Sequence, residues 1–157
     1  MTVPDIAWNV KPLATSSEWE GARAVRRRVF IEEQGVSEAE EWDEFDATAH
    51  HVVAVDDGRV VGTGRLVELE GRVGRIGRMA VLPERRRNGV GRAILARLEA
   101  EAAARGLALI VLHAQVHALG FYERAGYRAD GDVFEEAGIP HQKMWKILES
   151  RLPLETG

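Results

Sequence analysis

The stretch Arg86-Arg87-Asn88-Gly89-Val90-Gly91 constrains this chain more than any other. It is entered from the apolar run Ile76 to Leu82 and followed by a helix-like run, Arg92 to Arg105. Glycines at two of three successive positions let backbone N–H groups approach an anion closely, and the positive end of the following helix dipole favours the charge. The side chains of Arg85, Arg86, Arg87 and Arg92 add positive charge at the same spot. The pattern reads as a phosphate cradle set between a strand and a helix; a glycine-containing turn with solvated arginines is the plainer alternative.

Reading on excludes two better-known phosphate loops. A Walker loop ends in Gly-Lys-Ser/Thr, whereas Gly91 is followed by Arg92 and Ala93, leaving no hydroxyl to hold magnesium. The dinucleotide fingerprint needs a third glycine where this chain has Ile94.

The 157 residues suit one domain, 1–157, with a frayed tail from 152 to 157. A content of 45% hydrophobic and 29% charged residues is that of a globular protein with its own core. The net charge of -4 argues against general nucleic-acid binding, which needs a basic face. The absence of cysteine excludes a disulfide scaffold, a thiolate zinc site and a catalytic thiol. No leader-like start and no run of membrane-spanning length is visible, so no membrane association is expected and the cytoplasm is the expected location.

Ile6, Trp8 and Val10 alternate as a first strand closed by Lys11-Pro12. Ser17 and Glu20 have the spacing of a capping box, and Trp19, Ala22, Val25, Val29 and Phe30 recur at helical spacing up to Gly35. The acidic segment from Ser37 to Thr48 reads as loop with a short helix. His51 to Val55 and Arg59 to Leu69, joined by Asp56-Asp57-Gly58, form a hairpin signal. A strand begins near Val73, where Gly71, Gly74 and Gly77 suggest a bulge or a close backbone neighbour. Val90, Ile94, Leu95, Leu98 and Ala102 make one apolar helix face stopped at Gly106, and Leu107 to Leu112 is a buried strand. A helix from about Val116 to Arg124 and strands near Tyr127 to Phe134 and Gln142 to Leu148 complete a mixed α/β plan.

Three patches in this order resemble the GNAT superfamily of N-acetyltransferases and, within it, the ElaA-like bacterial subgroup. The first is Arg86, Gly89 and Gly91 after the strand Gly77 to Val81, matching Arg/Gln-x-x-Gly-x-Gly/Ala. The second is Phe121-Tyr122-Glu123-Arg124-Ala125-Gly126-Tyr127. The subgroup is carried by Arg28 to Gln34, by His113 to His117 and by Gly138-Ile139-Pro140-His141. The resemblance implies a twisted mixed sheet of about seven strands with about four helices, splayed between the fourth and fifth strands. It also implies acetyl transfer from acetyl-coenzyme A to a primary amine by direct attack, with a possible homodimer.

On that resemblance the segment Arg86, Arg87, Asn88, Gly89, Val90, Gly91 and Arg92 holds the diphosphate. The pantetheine arm lies along Met79, Ala80 and Val81, and Gln115 stands where many relatives place a cofactor-contacting asparagine. The Met79 N–H would polarise the thioester and stabilise the oxyanion, an effect of about 3 to 4 kcal/mol where such donors are removed. Tyr122 takes the position of the acid that protonates the departing thiolate, and a phenol with a pKa of about 10 is protonated at neutral pH. The alternative is a tyrosine packed in the core with its hydroxyl satisfied.

The general base stays open. Arg75 occupies the strand position where some relatives carry a carboxylate, so the candidates are Glu33, His50, His51, His113, His117 and His141. Glu33 ends the first helix, and His141 lies in the turn that the resemblance puts by the acceptor. His113 ends a buried strand, which suits an interior histidine better than a base. His50 and His51 face opposite ways if extended, so at most one reaches the site. His113 and His117 straddle a strand end, so no metal is expected. The acidic run Glu38 to Asp46 either steers a cationic amine or is plain wet surface. A small-molecule amine is the leading acceptor; a protein amine and a silent coenzyme A-binding sensor are the alternatives.

Overall fold

A computed structural model of the protein describes residues 8–148. The expected strand start at Ile6 and the tail 152–157 lie outside the described residues. Seven strands are formed: β1 (Trp8–Pro12), β2 (His50–Asp56), β3 (Arg59–Leu69), β4 (Val73–Val81), β5 (Leu109–Gln115), β6 (Arg128–Glu136) and β7 (Ile139–Ile147). The helices are α1 (Ser16–Arg26), α2 (Glu38–Glu41), α3 (Val90–Ala104) and α4 (Leu119–Arg124). The strands make one sheet in the order β1-β2-β3-β4-β5-β7-β6, antiparallel except for β4 and β5.

The chemistry of the chain explains most element ends. The capping box that starts α1 is Thr15 with Glu18 rather than Ser17 with Glu20: the Glu18 N–H donates to Thr15 Oγ1 at 3.0 Å, and the Thr15 N–H to Glu18 Oε1 at 3.2 Å. Beyond Arg26 the chain widens into a seven-residue π-helix, Arg27–Glu33. The periodicity gave no sign of it. The extra residue per turn rotates Glu33 and Gln34 relative to an α-helical continuation. Asp57 and Gly58, with φ of 53° and 80°, close the β2–β3 hairpin as expected of Asp-Gly.

Glycines set the distance between sheet and helix. A Cβ at Gly64 would lie 2.8 Å from Met79 Sδ and 2.9 Å from Ile94 and Leu98, and one at Gly62 2.9 Å from Ile94. This close approach seats α3 on one face of β3 and β4, over a core that includes Leu66, Ile76, Ile94, Leu98 and Ile110. Residues on β3, β4 and β5 with the opposite parity, among them Arg65, Arg75, His113 and Gln115, face the side of α1. His50 and His51 separate as the alternation demands, one near Glu101 of α3 and the other against Trp19 of α1.

Candidate active site

Strands β4 and β5 pair only over Val73–Arg75 and Leu109–Val111 and then part. Register adds a second irregularity: Thr63 pairs with Ala80 and Arg65 with Gly77, so Arg78 and Met79 lie opposite Gly64 alone. This bulge, with Arg78 at φ 50°, removes β4 backbone groups from the ladder beside the widening gap. The gap opens into a cavity of about 1140 Å³ that runs from the start of α3, past the splayed strands, to the end of the π-helix.

At the α3 end, Gly89 caps the helix in the left-handed region, φ 84°, and Arg87 adopts φ 68°. Nothing crowds a Cβ at Gly89, so glycine is favoured there by backbone conformation. The first-turn N–H groups of α3 have no intrahelical acceptor. The four arginines divide. Arg85 pairs with Asp56, and Arg86 donates to Val81 O at 3.0 Å and to both Glu33 oxygens at 2.8 and 2.7 Å. Arg86 is therefore a clamp between β4 and the π-helix rather than a free phosphate ligand, while Arg87 and Arg92 line the cavity with no ion pair among the described residues. Gly89 and Gly91 also line it. Asn88 is not among the lining residues, and Val90 is buried in the core beneath the loop.

Met79, Ala80 and Val81 form the β4 wall. The Met79 side chain lies over Gly64 on the α3 face, so only its backbone is left for chemistry. Tyr122, in α4, lines the cavity between the edges of Phe121 and Tyr127, with ring centroids at 4.9 and 5.8 Å. Its hydroxyl makes no hydrogen bond among the described residues, unlike that of Tyr127, which donates to Glu99 at 2.7 Å. Burial pushes the Tyr122 phenol up to about 12, so it keeps its proton throughout the neutral range.

Across the gap, Gln115 donates to Gln34 Oε1 at 2.8 Å, tying β5 to the end of the π-helix. Glu33 faces the cavity, but the Arg86 hydrogen bonds hold its carboxyl below the usual range. Such a committed anion is a weak proton acceptor. His141 lines the cavity, buried, with Nδ1 2.7 Å from Ile139 O and its ring stacked on Phe134. His113 and His117 line it too, and His113 Nδ1 lies 2.9 Å from Glu136 Oε1. The pairing with Glu136 was not visible in the sequence, because the two residues meet only through β7. His50 and His51 are outside the cavity.

The acidic segment is different again. Arg26 and Glu41, with side chains 1% and 3% exposed, bond at 2.7 Å, and Arg26 also reaches Asp46 at 2.8 Å. Arg65 binds Asp43 and Asp46 at 2.7 and 2.8 Å, and Arg78 binds Asp43 at 3.1 Å. Three guanidinium groups thus neutralise three carboxylates. Burial raises the Glu41 carboxyl against the pull of Arg26, whereas the Arg65 hydrogen bonds draw Asp43 down to about 2. At Glu41, Asp43 and Asp46 the run is an internal charge network under one end of the cavity, whereas Glu38, Glu40 and Glu44 are exposed.

The Acetyltransferase (GNAT) domain family matches residues 16–148. The chain belongs to that family of acetyltransferases. It is 39% identical over 147 residues to the uncharacterized protein YyaT of Bacillus subtilis, covering 92% of this chain and 99% of that one. A solved structure assigned as an N-acetyltransferase from Lactobacillus plantarum is 31% identical, with a TM-score of 0.83 over 91% of this chain and 99% of its own. Escherichia coli ElaA shares the fold at 23% identity and a TM-score of 0.78, covering 88% and 97%. An aminoglycoside 6'-N-acetyltransferase solved with coenzyme A shares it at 23% and 0.77, covering 92% and 99%. No helix among the described residues is long and apolar enough to cross a membrane.

Proposed function

We propose that this protein transfers an acetyl group from acetyl-coenzyme A to the primary amine of a small molecule by direct attack. The observation that carries this reading is the continuity of one cavity from the unsatisfied N–H groups at the start of α3 to the splay between β4 and β5. A diphosphate fits the first end, with Arg87 and Arg92 beside it, and an extended arm fits along the unpaired edge of β4. The coenzyme A-bound relative supports that occupant.

With the thioester carbonyl directed at the Met79 N–H, the amine nitrogen attacks the carbonyl carbon from the α1 side of the sheet. The oxyanion is stabilised by that N–H, the carbon–sulfur bond breaks, the leaving thiolate takes the Tyr122 proton, and the proton lost by the nitrogen as it becomes an amide restores the phenol. No covalent enzyme intermediate is formed. The test is calorimetric titration with acetyl-coenzyme A, followed by thiol release against a panel of amines and amine-bearing peptides. Micromolar binding with turnover on small amines is the expected result. Turnover on peptides alone would move the acceptor to proteins, binding without any turnover would make the chain a sensor, and no binding would overturn the reading.

A further inference from the structure

On the α1 side of the sheet the cavity holds a titratable pair that the steps above leave unused. Residues directly opposed in antiparallel strands share a face, so the registers Gln115↔His141 and Phe134↔His141 place β5, β7 and β6 side chains on one surface. His113 and Glu136, each two residues from a member of that row, meet on it, with Nδ1 2.9 Å from Oε1. Phe134 packs its edge against the imidazole, ring centroids 5.1 Å apart. An ionised carboxylate only accepts hydrogen bonds, so Nδ1 carries the proton and Nε2 keeps the basic lone pair.

The other candidates are less suited. Both Glu33 oxygens are held by Arg86. His141 has a carbonyl partner rather than a carboxylate and is only 7% exposed, with its ring stacked on Phe134. His117 lines the cavity, but among the described residues no hydrogen bond orients its ring. The groups sharing the His113 surroundings are Glu136 on β6, Lys143 and His141 on β7, Arg75 on β4, Glu33 on the π-helix and His117 after β5. Of these, only Glu136 is bonded to the ring.

We propose that His113 is the general base and Glu136 its positioning residue, an inference that rests on the acetyl-transfer reading. Nε2 takes one proton from the acceptor ammonium, the freed nitrogen lone pair forms the bond to the thioester carbon, the carbon–sulfur bond breaks as the thiolate takes the Tyr122 proton, and the second proton that the nitrogen loses on becoming an amide restores the phenol. The imidazolium, one third exposed, returns its proton to water.

The experiment measures kcat/KM against pH for the wild type, His113→Gln and Glu136→Gln, using an alkylamine that is cationic at neutral pH and a weakly basic amine that is already neutral. His113→Gln is expected to lose about 10²-fold or more on the alkylamine, with no acid limb, and far less on the neutral amine. Glu136→Gln is expected to lose about tenfold on the alkylamine and far less on the neutral amine, since an amide that can also donate no longer fixes the Nδ1–H tautomer. Equal losses on both amines in either variant overturn the assignment. Calorimetry with acetyl-coenzyme A checks that each variant keeps its fold; should His113→Gln fail, the Glu136→Gln profile decides. A wild type that binds the cofactor yet acetylates neither amine refutes the acetyl-transfer reading itself, and this assignment with it, whereas an active wild type indifferent to both substitutions refutes the dyad alone.

Discussion

Two side chains show how the same position in sequence can be ornamental or decisive according to what surrounds it. Tyr122 has the packing of a core aromatic and a hydroxyl left without a protein partner, which suits a proton donor aimed into the cavity. Tyr122→Phe is expected to lower kcat by about 10² or more, with a much smaller change in acetyl-coenzyme A affinity because the ring contacts remain. With the phenol at about 12, Tyr122 should produce no basic limb between pH 8 and 10 in the wild-type kcat profile. Arg26 is the opposite case: it has no part in the chemistry, yet removing it strands the buried Glu41 carboxylate. Arg26→Ala is expected to cost about 3 to 5 kcal/mol in urea unfolding, and Arg26→Met with Glu41→Leu much less. The pattern Phe121-Tyr122 before Gly126-Tyr127 singled out Tyr122 in the sequence, and the residue lines the cavity. Arg26 was not, since one arginine among Arg26-Arg27-Arg28 announces nothing about which of the three is buried.

At the scale of elements, the loop before α3 depends on backbone conformation more than on side chains. Gly89→Ala is expected to destabilise by about 1 to 2 kcal/mol, from the left-handed strain alone, and to weaken acetyl-coenzyme A binding as the first-turn amides shift. Urea unfolding and calorimetry on the same variant check both. This loop could be read in advance because glycine spacing is a local property. The π-helix at Arg27–Glu33 could not, since Val25, Val29 and Phe30 fit an α-helical stripe equally well, and the wider turn is chosen by what Glu33 and Gln34 must reach. The bulge at Arg78 and Met79 is similar: Gly77 hinted at an irregularity, but only register against β3 locates it.

For the whole molecule, the charge network joining α1, α2, β3 and β4 links stability to pH. Asp43 is held at about 2 in the folded protein against an ordinary 3.8, so its contribution is complete above pH 3.8 and is lost as pH falls toward 2. Chemical denaturation at stepped pH should therefore show stability declining over that interval, and Asp43→Asn should flatten the decline. The network also shows that Glu41, Asp43 and Asp46 are spent on arginines, which composition could not reveal because it counts carboxylates without the guanidinium groups that meet them.

Local chemistry was enough to establish the order of strands and helices, the mixed α/β class and the glycine turn that starts α3, because periodicity, turn residues and glycine spacing act within a few residues of chain. The strand order β5-β7-β6 brings His113 to Glu136, and the seating of the π-helix beside β4 and β5 brings Gln115 to Gln34 and Arg86 to Glu33. These contacts join residues far apart in sequence, so only the packed sheet could decide which titratable groups stand free and which are spent holding the cavity open.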